Sequence, residues 1–181
     1  RPKDGTTPTD MRGWTSLKAE VGAAEFVGVE GLTVSVETLS VAINQGSGTK
    51  AGISNNSVAD YRLNRLTVNT GGDNSIVFDF DGANGKLLRA AGALTIGIGD
   101  FELSGGFGIE KTESIQVKAG KTIKTSKLLI GAAGVDIFLG AGEEPYDNDD
   151  TGVLVENVGV GLVLFKEIDV TNPSNPQPVA G

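Results

Sequence analysis

The stretch "LTVSVETLSVAIN", residues 32–44, decides the fold class of this chain. Its apolar residues recur at every second position in two runs, Leu32-Val34-Val36 and Leu39-Val41-Ile43. Alternation with a period of two predicts a half-buried β-strand. Between the runs the period slips by one residue, at Glu37 and Thr38, and an uncorrected slip would turn the second run to the opposite face. The slip therefore predicts a β-bulge or a corner in the strand, because Glu-Thr lacks the chemistry of a tight hairpin turn.

The same pattern of alternation, slip and renewed alternation recurs along the chain. It is found in residues 17–29, 94–109 and 153–165, and in a looser form in residues 128–140. The slips fall at Gly22-Ala23, Gly99-Asp100 and Glu156-Asn157. The spacing of these units is irregular, which argues against a strict solenoid ladder. We expect an all-β, elongated β-solenoid-like or stacked-sheet body with long bent strands, with a two-sheet β-sandwich as the alternative. Residues 86–94, "KLLRAAGAL", fit either a helix or a strand.

The prolines indicate where the folded body begins and ends. None lies between residues 9 and 144, whereas both chain ends are rich in Pro, Thr, Asn and Ser. Proline is excluded from central strands because it cannot donate a ladder hydrogen bond. We therefore expect a linker at 1–11, a single all-β domain at 12–170 and a Pro-rich linker at 171–181. A domain from a tandem array has this layout.

The composition excludes several classes of function. The 181 residues include no Cys and no His, which removes thiolate chemistry, Ser-His-Asp triads and His-ligated metal sites. The formal net charge of −8 repels nucleic-acid phosphates and anionic membranes. No apolar run approaches the roughly 20 residues of a membrane-spanning helix. We expect no catalytic residues, no nucleic-acid partner and no membrane insertion; the chain is not expected to be an enzyme.

The segment "EEPYDNDDTG", residues 143–152, is the main candidate for a cation site. Asp147, Asp149 and Thr151 are spaced like the first oxygen ligands of a calcium loop, and a Gly follows them. The bidentate Glu that closes an EF-hand loop is replaced by Val158. An irregular calcium site would use Asp147, Asp149, Asp150 and Thr151. The alternative is a solvated acidic loop between two apolar strands.

Four further features each have a functional and a structural interpretation. Asp79 and Asp81 could form a second cation site with Asp73, or could be the polar face of a strand. The lysines of residues 111–127 could form a docking face for an acidic partner, or could protect an exposed strand pair. Asn55, in "NNS", is a formal glycosylation acceptor in a Gly/Ser/Asn-rich loop. Trp14 is expected to plug the end of the core.

Three long segments carry a resemblance to a known class of proteins. They are "MRGWTSLKAEVGAAEFVGVEGLTVSVETLSVAIN" (11–44), "FELSGGFGIEK" (101–111) and "GVDIFLGAGEEPYDNDDTGVLVENVGVGLVLF" (134–165). Their style resembles the glycine-rich tandem repeat domains of giant secreted or surface bacterial proteins of the RTX-adhesin type. The resemblance implies a structural, tandemly arrayed β domain outside the cell, often associated with calcium. The RTX nonapeptide GGxGxDxUx is absent, so no ligand or catalytic residue is carried over.

Taken together, these features predict a structural spacer or repeat module of a bacterial extracellular or cell-surface protein, stiffened by calcium if the acidic loop binds it. Its partners would be neighbouring repeats of a longer chain. The absence of Cys fits this origin better than a small eukaryotic secreted domain, which disulfides usually stabilise. The alternative is a calcium-dependent module that binds a glycan or a surface protein.

Overall fold

The computed structural model describes residues 10–26, 32–141 and 151–179, and these residues confirm the all-β class. The described ranges hold twelve strands and one short 3-10 helix, Gly82–Asn84. The strands are β1 (Gly13–Val21), β2 (Ala24–Phe26), β3 (Leu32–Ser47), β4 (Thr49–Lys50), β5 (Ile53–Ser54), β6 (Leu66–Gly71), β7 (Asn74–Phe78), β8 (Lys86–Ile98), β9 (Phe101–Lys118), β10 (Lys121–Ala141), β11 (Thr151–Asp169) and β12 (Gln177–Pro178).

The body is one large antiparallel sheet with the strand order β1-β3-β8-β9-β10-β11-β12, in which β2 also pairs with β3. The sheet is open, with β1 and β2 along one edge and β11 and the short β12 along the other. Its strands are long, and β10 alone has 21 residues. The arrangement is compatible with the two-sheet alternative, in which a second layer covers one face. Residues 86–94, which fitted a helix or a strand, belong to strand β8.

The predicted bulges are present at Glu37 and at Glu156-Asn157. Strand β3 carries one extra residue, Glu37, between the pairs that Val36 and Thr38 make with β8. Strand β11 carries one extra residue between Val155 and Val158, where Asn157 has a φ of 56°. The side chains of neighbouring residues satisfy the displaced backbone. Asn157 N donates to Asp136 Oδ1 at 2.7 Å, and a Thr38 hydroxyl accepts from the backbone of β8.

Two of the expected bulges are absent. Gly99 and Asp100 form a two-residue hairpin turn between β8 and β9, and Ile98 pairs with Phe101 across it. The prediction was wrong here because Gly99 supplies the positive φ, 57°, that a tight turn requires. At Gly22-Ala23 the strand is interrupted, but the register with β3 is the same on both sides of the break.

The bulges lie side by side and form one line across the sheet, which we call the bulge line. It runs from Glu37 on β3 to Gly134 on β10 and Asn157 on β11, and it crosses β8 and β9, which have no extra residue. Gly105 is the β9 residue opposite the bulge of β10. In β10 the extra residue lies between the pairs made by Ala133 and Asp136. Each bulge restores the phase of its own strand, so the apolar residues before and after the line share one face of the sheet.

Residues 48–85 form an insertion between β3 and β8 that packs on the other face of the sheet. Its aromatic cluster contains Tyr61, Phe78 and Phe80, with ring centroids 5.9–6.3 Å apart. Asn44 on β3 is 1% exposed and is held between the insertion and the sheet, donating to the Ala59 carbonyl and accepting from the Ser16 hydroxyl. Asn44 and the aromatic cluster therefore anchor the insertion to this face of the sheet.

Candidate functional site

The predicted calcium loop falls largely outside the described residues. Asp147, Asp149 and Asp150 belong to residues 142–150, which are not described. Thr151 is described; it is the first residue of β11, is exposed and pairs with Ala141 of β10. Within the three described ranges, no group of three or more His, Cys, Asp or Glu side chains could hold a metal ion. The calcium site therefore remains a prediction.

The second proposed cation site is not assembled, because its carboxylates have other partners. Asp79 accepts a hydrogen bond from the Lys18 ammonium, and the Asp81 carboxylate caps the 3-10 helix by accepting from Ala83 N. Asp81 also forms an ion pair with Arg62 at 3.1 Å. Asp73 lies in the turn between β6 and β7, with a φ of 63°. Asp79 therefore attaches the insertion to the sheet, and Asp81 stabilises a turn within the insertion.

A polar pocket lies between the insertion and the sheet. It has a volume of about 370 Å³, and Lys18, Asn44, Asp79, Phe80 and Arg89 are among its lining residues. The Lys18 ammonium also donates to the Val77 carbonyl at 2.9 Å and lies 5.4 Å from the centre of the Phe80 ring. All of its polar neighbours therefore belong to the insertion, and this geometry is that of a structural clamp.

Lys18 makes the clamp sensitive to pH. Its hydrogen bond lowers the pKa of the Asp79 carboxyl below the ordinary value. A depressed carboxyl pKa contributes stability above the unfolded-state pKa, and this contribution is lost as the pH falls through the folded-state value. We expect Lys18→Met to raise the pKa of Asp79 towards the ordinary value and to weaken the acid dependence of unfolding.

NMR titration of the Asp79 carboxyl carbon measures this change directly. Lys127→Met is the matched control, since Lys127 lies on the same face of the sheet and forms no ion pair with a described residue. An Asp79 titration curve that is the same in wild type and Lys18→Met would contradict the clamp.

Most lysines of residues 111–127 are engaged with nearby carboxylates. Lys111 and Lys124 both pair with Glu113, whose pKa Lys124 lowers. At the β9–β10 turn, Lys118 pairs with Glu167 and Lys121 with Asp169, both on β11. This arrangement supports the interpretation as a strand pair whose lysines protect it.

Asn55 is not available as a glycosylation acceptor. It is 5% exposed, its amide donates to the Gly13 carbonyl, and its Oδ1 accepts from the backbone and hydroxyl of Ser57. The sequence placed it in a polar loop, but the fold uses its side chain to fasten that loop to β1. Trp14 does not plug the core as expected. Its ring is about half exposed and lies under the Arg12 guanidinium.

The largest unassigned feature is one face of the main sheet, which we call the apolar face. Its members come from six strands and pair with one another across the sheet. Described members are Leu17, Ala19 and Val21 on β1; Val34, Val36, Leu39, Val41 and Ile43 on β3; Leu88, Ala90, Leu94, Ile96 and Ile98 on β8; Phe101, Leu103, Phe107 and Ile109 on β9; Leu128, Ile130, Ala132, Val135, Ile137 and Leu139 on β10; and Val153, Val155, Val158, Val160, Leu162 and Leu164 on β11.

The apolar face is open to solvent. Apart from Val135, which is buried at the bulge line, its described side chains are half-buried or exposed. The hydrogen bonds between the insertion and the sheet all lie on the opposite face or at the backbone of β1. Trp14, Lys18 and Asn44 donate to the insertion, whereas the Ser16 hydroxyl and the Gly13 carbonyl accept from it. An exposed apolar face of this size is typical of surfaces that contact another molecule.

Sequence reasoning identified the alternating residues but missed how they combine. Each slip is visible in the sequence of its own strand. No feature of a single strand shows that the bulges of different strands lie in one line. The clamp formed by Lys18 and Asp79 joins residues 61 positions apart and carries no sequence motif. The alternation of β1, β3 and β8 gave a usable signal for the apolar face, because the residues at alternate positions are consistently apolar.

Comparison with known proteins identifies no relative. No family model, no curated protein and no solved structure matches the chain. Within the described ranges, no helix has the length and hydropathy that crossing a membrane requires.

Proposed function

We propose that the chain is a structural module of a bacterial extracellular or cell-surface protein, and that it works by packing against neighbouring modules. One observation carries the proposal: a sheet of long antiparallel strands whose apolar face is left open to solvent. A sheet must bury one face to be stable, and the insertion is on the opposite face. The second layer is therefore supplied from outside the described residues, and a neighbouring module is the partner that a repeat array provides.

The path of the chain through the sheet supports side-by-side packing. Strand β1 begins at Gly13, which pairs with Ser47, and β11 ends at Asp169, which pairs with Ile123 next to the β9–β10 turn. Both positions lie at the same end of the sheet, on opposite edges. With strands about 4.8 Å apart, the two edges are separated by about 25 Å. A following module would therefore start beside the preceding one.

The bacterial and extracellular parts of this proposal rest on composition and on the repeat-domain resemblance. The proposal includes a calcium ion, which Asp147, Asp149, Asp150 and Thr151 would bind. The bound ion would add rigidity at the β10–β11 connection. A glycan- or protein-binding module built on the same loop is the alternative function.

A chain containing two copies in tandem tests the proposal. Tethering holds the second copy at an effective concentration in the millimolar range, so neighbouring sheets should cover each other's apolar faces. At submicromolar protein concentration we expect the two-copy chain to unfold at a higher temperature than the single copy. It should also bind less of the dye ANS per copy, because apolar surface is buried.

Two outcomes would count against the proposal. Equal melting temperature and equal dye binding per copy would show that neighbouring modules do not pack. Glycan binding on an array that requires calcium and disappears in Asp147→Ala would instead favour the binding-module alternative.

A further inference from the structure

We infer that a second copy of this chain closes the apolar face, with the two apolar faces packed against each other as the layers of a sandwich. The inference rests on the proposed function, because it names the partner of the module. Identical faces can pair about a two-fold axis, which is the commonest symmetry of soluble oligomers. The two sheets would lie about 10 Å apart, as in other face-to-face sheet packings.

The composition of the face matches the core of an interface. Paired residues form six rows, of which five run from β1 or β2 to β11, for example Ala19-Val41-Ala90-Ile109-Ile130-Leu162, and the sixth runs from β3 to β11. Lys111 is the one charged side chain among the described members of these rows. Interface cores are depleted in charge in the same way. The opposite face, in contrast, carries the ion pair of Arg89 with Glu110, whose side chains are partly exposed.

The area of the face is sufficient for a stable dimer. Six rows spaced by about 6.8 Å and six strands spaced by about 4.8 Å cover about 1,000 Å² per copy. A specific interface of standard size buries about 800 Å² per partner. The apolar face alone therefore meets the requirement, without any contribution from loops.

A protein partner fits this sheet better than a lipid surface. Both edges of the sheet carry unpaired backbone N–H and C=O groups, which need water or protein as partners and cannot be satisfied by lipid. The formal net charge of −8 also opposes contact with an anionic membrane.

A cluster of charges at one end of the apolar face determines the relative direction of the two copies. At this end of the sheet, the same face carries Lys111 within the last apolar row, and Lys86, Glu113, Lys124 and Lys166 beyond it. Four of these five side chains are cations, so a dimer that joined the two clusters would suffer like-charge repulsion. We therefore expect the strands of the two copies to run in opposite directions, with each cluster beyond the far end of its partner's rows.

Analytical ultracentrifugation of the purified chain, with paired variants of β11, tests the inference. Val160 and Leu162 belong to the apolar face and are 59% and 43% exposed. Val163 and Phe165 lie on the opposite face of the same strand and are each 62% exposed. We expect a wild-type dimer at micromolar concentration, and Val160→Glu/Leu162→Glu should weaken it at least 100-fold. Val163→Glu/Phe165→Glu, the control, should change the dissociation constant less than threefold.

Other outcomes would overturn the inference. A wild-type chain that stays monomeric at 100 µM would do so, as would equal weakening by the two double variants. Flotation of the monomer with vesicles of phosphatidylcholine and phosphatidylglycerol would assign the face to lipid instead. A monomeric single copy combined with a stabilised two-copy chain would reject the dimer and leave the proposed function intact.

Discussion

Replacing Gly105 by Ala, opposite the bulge of β10, is expected to destabilise the fold by about 3 kcal/mol. Gly105 has a φ of 147°, which residues with a side chain rarely adopt. A Cβ at this position would lie 2.8 Å from Val135 Cα and 2.9 Å from the Gly134 carbonyl oxygen. Both obstacles are backbone atoms of β10, so the added methyl group would displace the bulge of β10 from its register.

Gly108→Ala on the same strand is the matched control. Its Cβ would meet only the Ala91 side chain, at an ordinary contact distance of 3.7 Å. We expect Gly108→Ala to be neutral or to stabilise by about 0.5 kcal/mol, because Gly in a strand loses more backbone entropy than Ala. Urea unfolding followed by circular dichroism measures both variants. Similar midpoints for the two would show that the bulge line does not determine the register.

Replacing Asn44 by Leu, a side chain of similar size, is expected to cost about 3 kcal/mol of unfolding free energy. Asn44 is almost completely buried and satisfies two other groups. Its amide donates to the Ala59 carbonyl at 2.8 Å, and its Oδ1 accepts from the Ser16 hydroxyl at 3.1 Å. The Leu variant would leave these groups buried without their partner, and each unsatisfied polar group costs about 1–3 kcal/mol.

Asn56→Leu separates this effect from a general intolerance of Asn replacement. Asn56 is exposed, and its amide donates only to the Ser54 carbonyl two residues away. Its replacement should change stability by less than about 0.5 kcal/mol. Hydrogen exchange adds a local readout: in Asn44→Leu, amides near Tyr61 should exchange faster because the insertion loosens from the sheet. Unchanged protection there would contradict the anchoring role of Asn44.

The bulge line connects these predictions to the proposed interaction surface. Without the extra residues at Glu37, Gly134 and Asn157, the apolar runs beyond the line would face the insertion side. Each bulge has its own local chemistry: a glycine at positive φ on β10 and a carboxylate cap for Asn157 on β11. The bulge line therefore has a structural role in the sheet: it keeps a single apolar surface continuous over the whole length of the strands.

The candidate site was only partly accessible from the sequence. The alternating residues of the apolar face could be identified, since side-chain direction in a strand follows from its period of two. The burial of Asn55 could not, because "NNS" in a polar loop is the same sequence whether its side chain faces water or the Gly13 carbonyl. The engagement of Asp79 by Lys18 was also invisible, because it depends on where the insertion docks.

The sequence by itself determined the all-β class, the position of the long strands and two of the bulges, at Glu37 and at Glu156-Asn157. These are local properties, and a change of alternation phase is visible within a dozen residues. Only the tertiary structure decided that the bulges form one line, that Gly99-Asp100 is a hairpin turn and that the insertion packs on part of the face opposite the apolar face. Strand register and the choice of covered face depend on contacts between distant segments, and alternation within one strand carries no information about them.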